Sequence, residues 1–263
     1  MLELVTTGDR WSAAGGTDAT RGLFVKELEE ALLDGRADLA VHSAKDLPGE
    51  LPAGLAILAV PEREDPRDVL IGPVGGLAGL APGARVGTGS PRRSAQLMIA
   101  RPDVTCVEIR GNVGTRIDKL RQGDAVDALV LAAAGLARLG LAPDEMTPLD
   151  VDVSVPAPGQ GALAIEGRSD RLDMRDALHV LNDPVAAACV LAERALLAAL
   201  GGGCREPIGG LATVDGDVLT LVGFAASEHR SRHARETLGG PVGDAERLGT
   251  ELAGRLAERL ALP

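Results

Sequence analysis

Through much of the first two-thirds of this sequence, short segments of β character run into Gly- or Pro-containing loops and then into amphipathic helical segments. That order is expected of α/β units built on a mainly parallel sheet. Residues 2–6 read as a strand, and residues 8–20, with Gly15-Gly16 and small polar side chains, as a mobile loop suited to a lid. Val25, Leu28, Ala31 and Leu32 share a helical face that Gly35 terminates. A short apolar strand over 37–41 then opens into the loop His42-Ser43-Ala44-Lys45-Asp46-Leu47-Pro48.

Further strand–loop–helix units follow. One begins at Arg85-Val86-Gly87-Thr88, where Ser90 suits an N-cap and Pro91 the first helical position. The next pairs a strand over 105–109 with the loop Arg110-Gly111-Asn112-Val113-Gly114 and a helix from about Thr115 that stops near Gly123. Another occupies 128–139. Pro156-Ala157-Pro158-Gly159-Gln160-Gly161 interrupts both periodicities and reads as a connection back to the first domain and a hinge. Asp183-Pro184 opens an Ala- and Leu-rich helix to about Leu200, a strand is expected over 217–224, and Leu248, Leu252, Leu256 and Leu260 form a packing stripe on a last helix.

A chain of 263 residues exceeds the usual size of one core, which favours two or three domains. No stretch approaches the roughly 18 uninterrupted apolar residues of a membrane span. The N-terminus lacks the basic and apolar regions of a secretory signal, so cytoplasmic residence is expected. A net charge of −11, with two Phe, one Trp and no Tyr, argues against a nucleic-acid partner. Any anionic ligand must then be met locally, by clustered cations.

Such clusters exist. Arg92 and Arg93 stand in the first turn of a helix, where free N–H groups and the macrodipole already favour an anion, so cations there are costly unless an anion is received. Arg110 and Arg116 flank another Gly-containing strand–helix turn expected at the same sheet edge, giving four arginines that converge. Guanidinium forks suit carboxylates and phosphates, while the absence of GxxxxGK[ST] and of a supported GxGxxG weighs against ordinary nucleotide sites. Lys45-Asp46 can bind opposite charges of one ligand, and by itself also reads as a solvated pair ahead of a proline turn.

Of the three cysteines, Cys106 and Cys189 fall in a strand and an apolar helix and read as inert. Cys204 follows three glycines and precedes Arg205, which favours an accessible thiolate; nucleophile, covalent attachment point and bland loop thiol all fit the pattern. His42, His179, His229 and His233 form no metal-ligand motif, and no metal is expected. His42 reads as a hydrogen-bonded structural residue.

Taken together, Val41-His42-Ser43-Ala44-Lys45-Asp46-Leu47-Pro48, Gly87-Thr88-Gly89-Ser90-Pro91-Arg92-Arg93, Arg110-Gly111-Asn112-Val113-Gly114-Thr115-Arg116, Pro156-Ala157-Pro158-Gly159-Gln160-Gly161-Ala162 and Gly202-Gly203-Cys204 resemble the porphobilinogen deaminase family in order and spacing. Gly22-Leu23-Phe24-Val25-Lys26-Glu27-Leu28 and Glu62-Arg63-Glu64-Asp65-Pro66-Arg67-Asp68 add to the resemblance, which covers nearly the whole chain. It implies an α/β fold of three domains: two resembling periplasmic binding proteins around a cleft (1–61 with 160–179, and 62–159) and a small α/β domain carrying the cofactor cysteine (180–263).

The resemblance further implies condensation of four porphobilinogen molecules, with loss of ammonia, to linear hydroxymethylbilane in tetrapyrrole biosynthesis. Cys204 would hold a dipyrromethane cofactor through a thioether, with Lys45, Ser90, Arg92, Arg93, Arg110 and Arg116 binding cofactor and chain carboxylates. Arg21, Phe24 and Gln160 would meet substrate or lid. Loss of ammonia gives a cationic azafulvene, and Asp46 is the carboxylate expected to stabilise positive charge on the pyrrole nitrogens. A monomer is expected. The family begins with a strand bearing an Arg and a Ser, then a helix, and the sequence starts at what reads as the second strand; a unit of roughly 30 residues is expected to be missing. Ala19-Thr20-Arg21 stands where the family often has Gly-Gly-Lys. Two other readings stay open, an inactive truncated relic and a two-domain small-anion binding module; the second has no need of Gly202-Gly203-Cys204.

Overall fold

The structure, a computed structural model, describes residues 21–123, 125–143, 145–201, 207–227 and 232–261, with the backbone alone for 21–24. The expected strand over 2–6, the lid loop over 8–20, Cys204, and the side chains of Arg21 and Phe24 lie outside that description.

In chain order the elements are α1 (Arg21–Leu33), β1 (Leu39–Ser43), β2 (Leu55–Ala59), β3 (Asp68–Ile71), β4 (Arg85–Gly87), α2 (Pro91–Ala100), β5 (Thr105–Val107), α3 (Val113–Gln122) and β6 (Ala128–Ala132). There follow α4 (Ala133–Arg138), β7 (Met146–Pro148), β8 (Leu163–Arg168), α5 (Leu172–Leu178), α6 (Pro184–Ala199), β9 (Ile208–Asp215), β10 (Val218–Ala226), β11 (His233–Pro241) and α7 (Ala245–Ala261). The described strands form three sheets, ordered β1-β8-β2, β5-β4-β6-β3-β7 and β11-β10-β9.

The mixed α/β character follows the sequence reading, but the strand directions do not. Only β4 runs parallel to its neighbours β5 and β6; β3 is antiparallel to β6 and β7, and β8 is antiparallel to both β1 and β2. The expectation of a mainly parallel sheet is therefore corrected among the described residues. A strand buried on both faces is a continuous apolar run whichever way it points, so pattern alone cannot tell its direction. In β6, Ala128 and Val130 face one core while Leu129 and Leu131 face another.

Local chemistry sets the element ends. Ser90 accepts a hydrogen bond from the Arg93 N–H and Pro91 takes the first helical position, as read from the sequence. Asn112 caps α3 by accepting from the Thr115 N–H at 2.8 Å, so that helix starts at Val113, two residues earlier than expected. Gly123, at φ +74°, ends it. The strand expected over 105–109 stops at Val107, because β4 ends at Gly87 and leaves no ladder partner beyond that register.

The third sheet packs against α6 and α7. Leu248, Leu252 and Leu256 are buried with Leu196, Leu219 and Leu221, each such leucine contributing about 1.5–3 kcal/mol by leaving water. Gly249 lets the two helices approach, since a Cβ there would collide with the Ala192 carbonyl. The chain passes from the first sheet to the second before β3 and returns through Pro156–Ala162, a crossing that is buried apart from a half-buried Ala157.

Candidate active site

The loop expected after β1 is a single 3₁₀ turn, Ala44–Asp46. Ala44 and Leu47 are both buried in the core beneath it, the Ala44 N–H donates to the Ala162 carbonyl at 3.0 Å, and the Lys45 and Asp46 side chains are left half-buried at a cleft. Gly159 makes this possible: at φ +76° it packs so closely on the Ala44–Lys45 backbone that a Cβ would sit 2.8 Å from the Ala44 carbonyl carbon.

The cleft has a volume of about 360 Å³. It brings together Lys45, Asp46, Ser90, Arg92, Arg93, Arg116 and Gln160 from three strand-to-helix or strand-to-loop turns and the return crossing. Leu197 and Ile208 also line it, on α6 and β9, either side of Cys204 in the sequence. Arg110 is not brought in. Its guanidinium is exposed and paired with Glu108 at 2.7 Å, so the expected convergence of four arginines is three at the cleft and one outside.

The two arginines of α2 are internal as well as cleft-lining. Arg92 and Arg93 are 4% and 7% exposed, and both reach Asp68 at the start of β3, which is fully buried. Asp68 accepts from Arg92 Nη1 at 2.7 Å and Nη2 at 3.3 Å, Arg93 Nε at 2.9 Å and Nη2 at 2.8 Å, Ser154 Oγ at 2.8 Å and Gln160 Nε2 at 2.9 Å. Arg92 also donates to the Val155 carbonyl and Arg93 to that of Val130. Burial works to raise the Asp68 carboxyl, but the two guanidiniums and the hydrogen bonds from Arg92 and Gln160 outweigh it and hold the acid well below the usual range. Burial, with Arg92 and Arg116 nearby, lowers Arg93 against the opposing pull of Asp68.

Gln160 lines the cleft, yet its amide is engaged inside: Nε2 donates to the Pro66 carbonyl and to Asp68, and Oε1 accepts from Arg93. Arg116 donates from Nε to the Gly111 carbonyl at 2.7 Å. Ser90 uses an oxygen lone pair as a cap, which leaves its O–H available as a donor. Three cationic arginines and Lys45 thus line the cleft together with the Asp46 carboxylate, while Asp68 is buried against Arg92 and Arg93, a local positive excess in a chain of net charge −11.

The sequence reading did not single out Asp68, nor the pair Arg63–Glu193. Glu193, fully buried on α6, accepts from Arg63 Nη1 at 2.7 Å, the Gly159 N–H at 2.6 Å and the Ala212 N–H at 2.8 Å, tying both crossings and β9 to one helix. A signal existed in each case. Asp68 is a charge opening a strand whose four residues are all buried, and Glu193-Arg194 interrupts an otherwise apolar helix; a buried charge requires a partner.

His42 donates or accepts at 2.9 Å with Glu166, both buried, in keeping with its structural reading. The Cys189 thiol is pushed up to about 11, first by burial and then by Glu193, which makes it unreactive. A larger hollow of about 800 Å³ lies at the other end of the five-stranded sheet, beside Pro82–Ala84, Ile117 and Arg121. It gathers none of the candidate residues, and its charges are Arg121, Asp127 and Glu145, so size alone does not mark the site.

A cleft lined by fixed guanidiniums together with one lysine–aspartate pair is a donor set suited to a small polycarboxylate. Family models sharpen this: residues 1–176 match "porphobilinogen deaminase, dipyromethane cofactor binding domain" and residues 187–258 match "porphobilinogen deaminase, C-terminal domain". Porphobilinogen deaminase of Trichlorobacter lovleyi is 50% identical over 261 residues, covering 97% of this chain and 82% of that protein. That of Geobacter sulfurreducens is 48% identical over 261 residues, 97% of this chain and 80% of that protein. A solved structure, the periplasmic VFT2 domain of Bordetella pertussis BvgS, aligns with 59% of this chain and 64% of its own at 19% identity and a TM-score of 0.35.

The chain belongs to the porphobilinogen deaminase family. Its class is therefore that of a transferase of tetrapyrrole biosynthesis, and its cofactor is dipyrromethane.

Proposed function

We propose that this chain joins four porphobilinogen molecules into linear hydroxymethylbilane with release of ammonia, and that Cys204 carries the dipyrromethane through a thioether. The observation that carries the reading is the cleft that sets Lys45, Arg92, Arg93 and Arg116 around Asp46 in an acidic protein. Pyrroles bearing acetate and propionate arms fit this donor set, since each arm is a carboxylate and the wall is rich in N–H donors. When bound, dipyrromethane supplies the primer to which the first substrate is joined.

Lys45 and Arg116 hold ligand carboxylates, Ser90 donates its free O–H to one, and Arg92 and Arg93 present the remaining N–H edges of a fixed wall. Asp46 stabilises the positive charge that develops on the pyrrole nitrogens as ammonia leaves, more strongly in a cleft than in bulk water. Leu197, Leu139 and Ile208 line the same space and reduce the water around those charges. Arg110, outside the cleft and paired with Glu108, acts on approach rather than at the reacting atoms. We further propose residues 8–20 as a lid, Arg21, Phe24 and Gln160 as residues that meet substrate or lid, the return crossing as a hinge, and a domain division of 1–61 with 160–179, 62–159 and 180–263.

No described helix is long and apolar enough to cross a membrane, and we place the protein in the cytoplasm as a monomer. The test is turnover of porphobilinogen by the purified chain and by Asp46→Asn. Wild type is expected to form the linear tetrapyrrole and ammonia, and the variant to retain substrate affinity while kcat falls by about 100-fold. Unchanged turnover in Asp46→Asn removes that residue's role; binding without turnover in wild type makes the chain a binding module or a relic.

A further inference from the structure

We infer that Asp68 is a positioning residue that sets the charge of the cleft wall, acting as the protein's own stand-in for one ligand carboxylate. The inference rests on the reading that carboxylate-bearing pyrroles occupy this cleft. Two guanidiniums from adjacent positions in one helical turn, Arg92 and Arg93, converge on this single carboxylate, and both also line the cleft. Here two buried cations share one anion, and the surplus positive charge lies on the surface a ligand meets.

The carboxylate cannot be recruited away. Its two oxygens take six contacts from four side chains, Arg92, Arg93, Ser154 and Gln160, which more than occupies the roughly four lone-pair positions a carboxylate has. It is fully buried on β3, and those donors come from α2, from Ser154 just before the return crossing and from Gln160 within it. The wall therefore keeps a fixed charge and a fixed fork geometry, whatever the length of the chain lying against it.

This matters for a ligand that grows. Each added unit brings further carboxylates, and each must be gripped and then released as the chain advances along the same wall. Two uncompensated guanidiniums would grip too firmly, because charge-assisted hydrogen bonds in a closed site are strong. With Asp68 in place, part of that attraction is answered from within, and the ligand meets one surplus charge rather than two.

Asp68→Asn keeps the shape and removes the charge. The expected result is a split: KM for porphobilinogen falls about tenfold, equivalent to ~1.4 kcal/mol, and kcat falls by at least as much because bound intermediates leave slowly. Intact mass after a brief exposure to porphobilinogen then shows adducts that persist about tenfold longer than in wild type. Arg93→Gln moves the wall the other way, to one cation against one anion, and leaves Asp68 paired with Arg92. Its KM is expected to rise about tenfold, with shorter-lived adducts.

A raised KM with wild-type adduct lifetimes in Asp68→Asn, or shifts of the same sign in both variants, overturns the inference and leaves Asp68 a purely structural anchor. If Asp68→Asn does not fold, Arg93→Gln decides alone: an unchanged or lowered KM overturns it. Wild type that takes up no porphobilinogen overturns the functional reading, and the inference with it.

Discussion

Two strand-to-helix turns in this molecule share one local design and end differently. The turn after β4 is capped by Ser90 and carries Arg92 and Arg93; the turn after β5 is capped by Asn112 and carries Arg116, with Arg110 just before it. Both set cations where a helix macrodipole favours anions. In the first, Asp68 lies beneath and the arginines are buried; in the second, Arg116 bonds the Gly111 carbonyl at the cleft and Arg110 turns outward to Glu108. A misplaced cation thus marks a position that receives an anion, but tertiary neighbours decide whether that anion is a ligand, a buried carboxylate or a surface partner.

The contrast breaks most readily at Asp68. Asp68→Ala leaves two buried guanidiniums uncompensated and is expected to cost about 3–5 kcal/mol in denaturant unfolding; a loss near zero would mean the first turn is no more internal than the second. Arg116→Ala is expected to raise KM for porphobilinogen about tenfold, the loss of one charge-assisted bond, with an unchanged unfolding midpoint. An equal loss of stability would make the two turns alike.

Glu29 sharpens the comparison from the opposite side, as a buried carboxylate without Asp68's partners. One of its oxygens has no hydrogen-bond partner, and burial, then the nearby Glu166, push its carboxyl above the ordinary value despite an opposing pull from His42. The folded state therefore binds this proton more tightly than the unfolded state, and stability is lost as pH rises through the raised pKa. Glu29→Gln is expected to raise the thermal midpoint by roughly 2 °C near pH 7, with the gain vanishing below the ordinary Glu pKa of about 4.3. A gain independent of pH would point to packing instead. Smallest of all, Arg110→Ala is expected to change stability by less than about 1 kcal/mol, because its ion pair is exposed.

What the sequence made legible follows the same division between local and distant causes. Ser90, Pro91, Asp183 and Gly123 announce helix ends through chemistry confined to a few neighbours, and the structure places those ends where they point. The leucine stripe of α7 is equally local and packs as read. Strand direction was not legible, because β8 enters between β1 and β2 only after the chain has built another sheet. The cleft was legible as a set, since Lys45, Asp46, Arg92, Arg93 and Arg116 do line one space. The partners were not. Asp68 stands 24 residues before Arg92 and Arg63 stands 130 before Glu193, separations at which only a fold brings charges together.

We propose that this family member carries its cofactor on Cys204 and binds its ligands in the cleft lined by Leu197 and Ile208. Intact mass of the purified chain, followed by peptide mapping, tests it most directly. The expected result is a mass excess of two linked pyrrole units, confined to the peptide containing Cys204. An unmodified chain from porphobilinogen-producing cells, or an adduct on Cys106 or on the buried Cys189, would contradict it.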